Sequence, residues 1–231
     1  MLVLTFQLAV IVLLALAVVL WAVNFPHPSP LARPLLRGKR RWPENQIRSW
    51  LASGDFHPGY LRYFYRDPER VAPHGDGLLA PADGLVTGHD CLDGVRYIVI
   101  ALSFWDMHVQ RSPIDGRVRS VVSLGDTHTD GEGRDFAFLR AKICPVQTRI
   151  VIDSDIGTVA VRLITSVAAR RIEAWVEPGQ TIRRGQRIGR ILLGSTVVLE
   201  VPDAYQCTPA LRTHVRAGQT VLVQRRRDGN A

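Results

Sequence analysis

Cysteine is scarce in this sequence, and its three cysteines form no pattern that binds a metal or builds a disulfide framework. Cys91, Cys144 and Cys207 lie far apart, and none belongs to a C-x-x-C pair. The seven histidines show no H-E-x-x-H or other metal-ligand spacing. We therefore expect free thiols in a reducing compartment and no metal site.

Charge is missing from the start of the chain, where the first charged side chain is Arg33. Residues 2–23 are almost wholly apolar, and as a helix they would be about 33 Å long, enough to cross a bilayer core. A buried core helix of this length would show a polar face, and a cleaved signal peptide would have a positive start and a shorter apolar stretch. The sequence therefore predicts one transmembrane anchor within residues 1–25.

Basic residues follow this apolar run, in a chain whose formal net charge is +8. They are Arg33, Arg37, Lys39, Arg40 and Arg41. Positive charges beside a transmembrane helix mark its cytoplasmic side and attract anionic lipid headgroups. We therefore expect a single-pass protein of the cell membrane, with the remainder of the chain in the cytoplasm and a membrane, not nucleic acid, as the anionic partner.

The remainder divides by composition into three parts. Residues 26–43 are rich in proline and basic residues, which is typical of a juxtamembrane linker. Residues 44–77 form a short helical segment, with helical patterns at 43–54, where Gly54 is a stop signal, and at 60–70. Residues 78–231 show short runs of Val, Ile and Leu between turns, with no long helical period. The sequence therefore predicts a mainly β domain, a sandwich or barrel with a few short helices.

The strand predictions of this β domain fall at 96–101, 116–122, 149–152, 158–164 and 196–201. Two pairs of short stretches within the chain also resemble each other weakly, as internal echoes of the sequence. The stretch DGLV at 83–86 resembles DGRV at 115–118, and PGQTI at 178–182 resembles AGQTV at 217–221. Such echoes are what two related halves of a β domain would leave.

Three polar residues in separate stretches carry the possible chemistry. Asp83 lies in a turn-like PADG, His108 follows FWDM, and Ser195 comes directly after Gly194. Taken singly, each has an ordinary structural explanation: the aspartate as a turn residue, the histidine as a packed strand residue, and the Gly-Ser pair as a kink in a strand. The serine is also not part of a G-x-S-x-G nucleophile elbow. Together an aspartate, a histidine and a serine are the parts of an activated hydroxyl, and Ser195 could attack the carbonyl of Gly194.

Four stretches, in this order and spacing, resemble the phosphatidylserine decarboxylase family in its short, pyruvoyl-dependent form. They are PADG at 81–84, FWDMHVQRSPIDG at 104–116, VAARRI at 167–172 and GQRIGRILLGST at 185–196. The resemblance runs from about residue 78 to about residue 223. Its specific parts are the Gly-Ser site and the D-x-H-V segment.

The resemblance implies a proenzyme that cleaves itself at the Gly194–Ser195 bond, giving a β chain of residues 1–194 and an α chain of residues 195–231. Ser195 would become a pyruvoyl group, the cofactor with which phosphatidylserine is converted to phosphatidylethanolamine and CO2 in phospholipid biosynthesis. His108 would serve as general acid and base, and Asp83 would orient it. The partners implied are a phospholipid substrate, the membrane and the α and β chains themselves, with a homodimer possible.

Binding of the anionic headgroup is assigned to Arg111, Arg170 and Arg171. The sequence departs from the family pattern in two places. Arg111 stands where longer members have a second histidine, and the mid-chain segment 125–140 has its own sequence, in which His128 is a further catalytic candidate. The division of labour between self-cleavage and decarboxylation, and the preferred headgroup variant, are therefore open.

Two other functions compete with the decarboxylase. One is a serine hydrolase that uses Ser195, His108 and Asp83 without self-cleavage. The other is a non-enzymatic binding module, because EPGQTIRRGQRIG at 177–189 resembles the hairpins of biotinyl and lipoyl carrier domains. A carrier needs a lysine at its hairpin tip, and the lysines of this chain, Lys39 and Lys142, lie at neither repeat turn.

Overall fold

The computed structural model describes residues 2–24, 42–125, 146–165, 171–192 and 195–225, with backbone alone at residues 2–4, 20–24 and 195. The chain forms two compact units, Met1–Tyr63 and Phe64–Ala231. The first contains helices α1 (Leu2–Asn24) and α2 (Glu44–Ser53) and most of α3 (Pro58–Phe64). Judged on the residues so described, none of the helices combines the length and apolar character needed to cross a membrane.

Helix α2 has the boundaries that its sequence predicts. Glu44 in its first turn pairs with Arg48 one turn later, and Gly54 ends the helix in the left-handed conformation, with φ of 77° and its N–H bonded to the Trp50 carbonyl. Helix α3 ends at Phe64, so the predicted extension to residue 70 is wrong. Pro68 accounts for part of the difference, because a proline disfavours helical geometry in the residue before it.

Aromatic rings hold the first unit together. Tyr60 is fully buried, with ring centroids 5.7 Å from Trp42 and 5.6 Å from Trp50. Phe56 stacks on Tyr60 at 6.1 Å. These rings bury apolar surface, and their shapes determine how α2 packs against α3.

The second unit is built of antiparallel strands, which confirms the mainly β prediction. In chain order they are β1 (Leu78–Leu79), β2 (Gly84–Leu92), β3 (Val95–Leu102), β4 (Val109–Arg111), β5 (Gly116–Leu124), β6 (Gln147–Ser154), β7 (Gly157–Ile164), β8 (Arg171–Ala174), β9 (Thr181–Ile182), β10 (Arg187–Leu192), β11 (Ser195–Pro202), β12 (Tyr205–Cys207), β13 (His214–Val215) and β14 (Val221–Arg225). Strands β3, β5, β6, β7 and β11 contain the five predicted runs.

One eight-stranded sheet dominates, in the order β13-β2-β3-β11-β7-β6-β5-β9, and it stays open, with β13 and β9 as its edges among the described strands. Two three-stranded sheets, β1-β14-β12 and β4-β10-β8, complete the unit. The main apolar core draws side chains from all three sheets, for example Leu78, Ile191 and Val197. Burial of this continuous cluster is the principal stabilisation of the unit.

The two halves of the large sheet have the same arrangement when their strands are counted inward from either edge. Gly84 begins β2 beside β13, and Gly116 begins β5 beside β9. A Cβ on Gly84 would lie 2.3 Å from the Ala101 carbonyl oxygen, and one on Gly116 would lie 2.4 Å from that of Asp153. The DGLV and DGRV echo therefore corresponds to two equivalent close approaches of neighbouring strands, at positions where a side chain would clash.

Candidate active site

The backbone of Ser195 lies where the chain passes between two sheets. Strand β10, in a small sheet, ends at Leu192, and β11, in the large sheet, begins at Ser195 paired with Leu102. Gly194 lies outside the described residues, so the predicted cleavage site is framed by the strands on either side of it. Two intervening residues join strands that belong to different sheets.

His108 lies beside the end of β10. The Ile191 N–H donates to the His108 carbonyl oxygen at 3.1 Å, and the ladder continues through Val109 opposite Arg190 and Gln110 opposite Gly189. The strand pairing therefore brings His108 to the residues that directly precede the predicted cleavage site. The PADG stretch that carries Asp83 reaches β4 as well, because the Arg111 N–H donates to the Pro81 carbonyl oxygen at 2.8 Å.

The protonation state of His108 follows from its surroundings. The imidazole is 1% exposed, lies 4.3 Å from the Phe64 ring by centroids, and has Nδ1 3.0 Å from the Asp106 carbonyl oxygen. A carbonyl oxygen only accepts, so Nδ1 carries the hydrogen and Nε2 of the neutral ring has the lone pair. Burial lowers the pKa of His108 to about 4, although the Asp106 hydrogen bond and the charges of Asp106 and Asp83 oppose the shift. His108 is thus a neutral base at pH 7.

Asp83 is buried in an ion pair. Its carboxylate accepts hydrogen bonds from both terminal nitrogens of Arg70, at 2.5 and 2.9 Å, and from the Ala217 N–H at 2.8 Å. Among the described residues its hydrogen bonds go to these groups, and its negative charge acts on His108 at longer range by raising the pKa of the imidazole. The predicted orienting role of Asp83 stays a prediction, and Arg70 is a partner that sequence reasoning missed.

Asp106 and His214 are two further residues of the site that sequence reasoning missed. The buried Asp106 carboxylate accepts from the Ser103 N–H at 2.8 Å, the Ser103 hydroxyl at 2.5 Å and His214 Nε2 at 2.8 Å. Burial alone raises the pKa of Asp106, but the bonds from Ser103 and His214 outweigh it and leave the pKa below its usual value. The Ser-x-x-Asp turn was a usable local signal for Asp106. His214, distant along the chain, offered none.

The arginines predicted to bind substrate are placed differently. Arg111 is buried, and its guanidinium donates to Asp67 at 3.0 Å and to the carbonyl oxygens of Pro68 and Gly185. Arg171 is exposed and lies 3.4 Å from Glu173. Arg170 and the candidate His128 lie outside the described residues. The binding roles of these arginines stay predictions, while Arg111 has a clear structural use in joining three segments.

Gln110 is fully buried, and neither Nε2 nor Oε1 of its amide has a hydrogen-bond partner among the described residues. Leaving a buried amide unpaired costs about 1–3 kcal/mol, so such groups are uncommon in folded proteins. Over the same part of the chain, no three His, Cys, Asp or Glu side chains cluster as metal ligands do. Hydrogen bonds link His108 to the backbone of Asp106 and the Asp106 carboxylate to His214, whereas the Gln110 amide stands apart from them.

Comparison with known families is decisive for the identity of this arrangement. Residues 60–223 match the family model described as phosphatidylserine decarboxylase. The chain belongs to the phosphatidylserine decarboxylase family. The matched residues contain both strands that flank the 194–195 bond, as well as Asp83, His108 and His214, which confirms the family resemblance predicted from four short stretches.

Several relatives in this phosphatidylserine decarboxylase family match over most of their length. A protein provisionally named archaetidylserine decarboxylase proenzyme, from Archaeoglobus fulgidus, is 37% identical over 167 residues, which cover 71% of this chain and 78% of that one. Phosphatidylserine decarboxylase proenzymes from Nitratidesulfovibrio vulgaris and Chlorobaculum tepidum are 33% and 34% identical, over 72% and 71% of this chain and 78% and 77% of their own lengths. The relatives are thus named as proenzymes acting on two related lipids.

Proposed function

We propose that this chain is a self-processing decarboxylase that converts phosphatidylserine to phosphatidylethanolamine and CO2. The names of its relatives support both the reaction and its synthesis as a proenzyme. The observation that carries the proposal is the buried His108 beside the end of β10, which is neutral at pH 7 with its proton on Nδ1 and its lone pair on Nε2.

Self-cleavage at the Gly194–Ser195 bond is the first step that we propose. Nε2 of His108 accepts the proton of the Ser195 hydroxyl, whose oxygen forms a bond to the carbonyl carbon of Gly194 while the bond from that carbon to the Ser195 nitrogen breaks. The released nitrogen takes a proton, and the product is an ester. Elimination of this ester releases the carboxylate of Gly194 and leaves a dehydroalanine at residue 195. Water then adds to its Cα and the nitrogen leaves as ammonia, which gives the pyruvoyl group.

When formed, the pyruvoyl group supplies a carbonyl that reacts with the substrate amine and accepts the electron pair released as CO2 departs. The residues present fit this use of residue 195, because a neutral base stands next to the strand end that precedes it. His108 then returns a proton to the substrate carbon. Since its pKa is about 4, His108 is neutral at pH 7 and can donate this proton only after it has accepted one.

The two chains should stay together after cleavage. Strand β11 at the start of the α chain pairs with β3 over eight residues and with β7 over five, and both of those strands belong to the β chain. Core side chains Val197 and Leu199 remain buried between them. Association of two such copies, as a homodimer, stays a prediction.

We also propose that α1 and the basic segment after it anchor the protein in the cell membrane with the β unit on the cytoplasmic side. Large apolar side chains along α1 are exposed, among them Phe6, Leu13 and Val18. Exposed apolar surface of this kind favours lipid contact. The substrate is itself a membrane lipid, so an anchor would hold the site at the surface where the lipid lies.

The function is tested by incubating the purified protein with phosphatidylserine in detergent micelles and measuring CO2 and phosphatidylethanolamine. We expect equal amounts of both products from the wild-type chain and none from the Ser195→Ala variant. A serine hydrolase would instead release fatty acid or free headgroup, and that outcome would refute the decarboxylase proposal. A chain that releases no product of any kind would favour the non-enzymatic binding module.

A further inference from the structure

The unpaired amide of Gln110 lies in β4, two residues after His108, which directly precedes that strand. The Ile191 N–H bonds to the His108 carbonyl oxygen and so continues the β4–β10 ladder to His108, and side chains alternate between the two faces of an extended chain. The two polar side chains therefore share a face, roughly 7 Å apart along the strand. Groups at this spacing are close enough to contact one small headgroup at the same time.

This shared face is turned toward the large sheet. Gln110 stands opposite Gly189 in β10, where an added Cβ would lie 3.2 Å from Leu163 of β7. Leu163 is paired with Val197 in β11, two residues after Ser195. Gln110 is thus directed toward the space between the sheets, beside the beginning of the strand that carries residue 195.

Neighbouring polar groups on this strand are already committed. Arg111 projects to the opposite face and is held by Asp67, Pro68 and Gly185. Gln110 differs because both ends of its amide lack a partner within the described chain, although the side chain is 0% exposed. A buried amide that is left unpaired in the protein alone is a group for which a ligand can provide the missing hydrogen bonds.

We propose that the Gln110 amide binds the carboxylate of the serine headgroup, with Nε2–H donating to a carboxylate oxygen. This inference rests on the proposed decarboxylase function and assigns a specificity residue to it. A neutral amide suits the reaction better than an arginine would. Decarboxylation removes the carboxylate charge, so a strong ion pair would stabilise the bound substrate more than the transition state. A hydrogen bond from a neutral amide positions the carboxylate and stabilises the bound substrate less than an ion pair would.

The test uses the full-length chain and the variants Gln110→Met and Gln110→Glu, assayed for processing, thermal stability and kinetics with phosphatidylserine in micelles. We expect Gln110→Met to be processed like the wild type and to melt no lower, because it removes an unpaired amide while keeping the shape of the side chain. Its KM for phosphatidylserine should rise about 10- to 100-fold, the effect of one hydrogen bond to a charged group. Gln110→Glu should weaken substrate binding further, because it places a second carboxylate beside that of the substrate.

Product inhibition separates this role from general packing. Phosphatidylethanolamine lacks the carboxylate, so its inhibition constant should be the same for Gln110→Met and the wild type. As a matched control, Gln147→Met alters another fully buried glutamine, one that accepts from Arg162 at 2.9 Å. This control should lower the melting temperature and leave the KM unchanged.

Three results would overturn the inference while leaving the proposed function intact. They are an unchanged KM in Gln110→Met, an equal weakening of substrate and product binding, and a failure of both Gln110 variants to self-cleave despite normal melting. A wild-type protein that does not decarboxylate phosphatidylserine would overturn the proposed function, and the inference with it.

Discussion

The His108 imidazole is buried against the Phe64 ring, and its Nδ1 donates to a backbone carbonyl of its own loop. These two contacts have separate effects. Burial disfavours the charged form and lowers the pKa to about 4, while the hydrogen bond selects the tautomer with the lone pair on Nε2. At pH 7 the imidazole is therefore in its neutral form with the lone pair on Nε2, the form that can accept a proton from a serine hydroxyl.

The low pKa of His108 predicts how stability depends on pH. Its folded pKa of about 4 lies below the ordinary value of 6.5, so between these values the unfolded chain takes up a proton that the folded chain does not. The stabilisation from the neutral imidazole is therefore complete above pH 6.5 and is lost as the pH falls toward 4, by roughly 3 kcal/mol. Denaturant unfolding of the unprocessed Ser195→Ala chain at pH 7 and pH 4.5 measures this loss.

The control for this experiment is the same pH series on Ser195→Ala with His108→Gln added. Other titrating groups, such as Asp106, are common to both chains and cancel in the comparison. The variant should lose less free energy of unfolding between pH 7 and pH 4.5. An identical loss in both chains would show that His108 titrates normally.

Sequence reasoning pointed to His108 and Ser195 because each lies in a stretch that resembles the family, and their catalytic roles stay predictions. It could not find the groups that act on them through the fold. Arg70 meets Asp83 across 13 residues of chain, and His214 meets Asp106 across 108 residues. Arg111 is predicted to meet an anionic substrate, and the fold shows a partner that the sequence did not reveal, Asp67. Charge can be read from a sequence, whereas the partner of a charge depends on packing.

Among the strands, the step from β10 to β11 is the one that defines the site. Strand β10 lies between β4 and β8, and β11 lies between β3 and β7, so the two strands are anchored in different sheets. Both are held on each side by antiparallel neighbours. Cleavage at the 194–195 bond would thus leave every one of these strand pairings in place.

The five long strands were predictable because each is a run of β-branched and aliphatic residues between turn residues. Strands β1, β9 and β13 have two residues each, too few to show the alternation by which a strand is predicted. Their existence depends on long-range pairing, as of β13 with Gly84 and Leu85. The order of strands in the large sheet was not predictable for the same reason, although the repeated Asp-Gly stretches pointed to two related halves.

Gly84 should be intolerant of substitution because of the way β2 meets β3. Its φ is 148°, and a Cβ would lie 2.3 Å from the Ala101 carbonyl oxygen. Backbone strain and overpacking each cost on the order of 1–3 kcal/mol, so we expect Gly84→Ala to destabilise the protein by about 3 kcal/mol or more. Urea unfolding of the variant in the Ser195→Ala background measures the change.

Gly94 provides a matched control in the turn between the same two strands. It has a φ of 74° and nothing within 4 Å of an added Cβ, so Gly94→Ala should show the cost of the left-handed backbone alone, about 1–2 kcal/mol. Equal destabilisation by the two substitutions would mean that the close approach of β2 to β3 does not constrain Gly84.

For the whole protein, the distribution of charge and apolar surface predicts attachment to a membrane. We expect the full-length protein to float with lipid vesicles and to resist alkaline extraction. Replacing Leu13 and Leu16 by arginine places two charges in the apolar run, each costing about 2.5–3.5 kcal/mol at the centre of a bilayer. This double variant should be extracted, and the control Leu13→Ile with Leu16→Ile should behave like the wild type.

The opposite outcome, in which the arginine variant remains as firmly bound as the wild type, would refute α1 as the anchor. Attachment would then have to come from the basic segment or from the β unit. High salt distinguishes these, because attraction of basic residues to headgroups is screened by salt whereas insertion of an apolar helix is not.

The central claim is that the protein makes its own catalytic group by cutting one bond, and the mass of the denatured protein tests it most directly. For the wild type we predict two species, residues 1–194 and an α chain whose first residue has lost its nitrogen and no longer has the mass of a serine. For Ser195→Ala we predict one uncut chain of 231 residues. A wild-type protein that decarboxylates phosphatidylserine as one intact chain with an unmodified Ser195 would contradict the account.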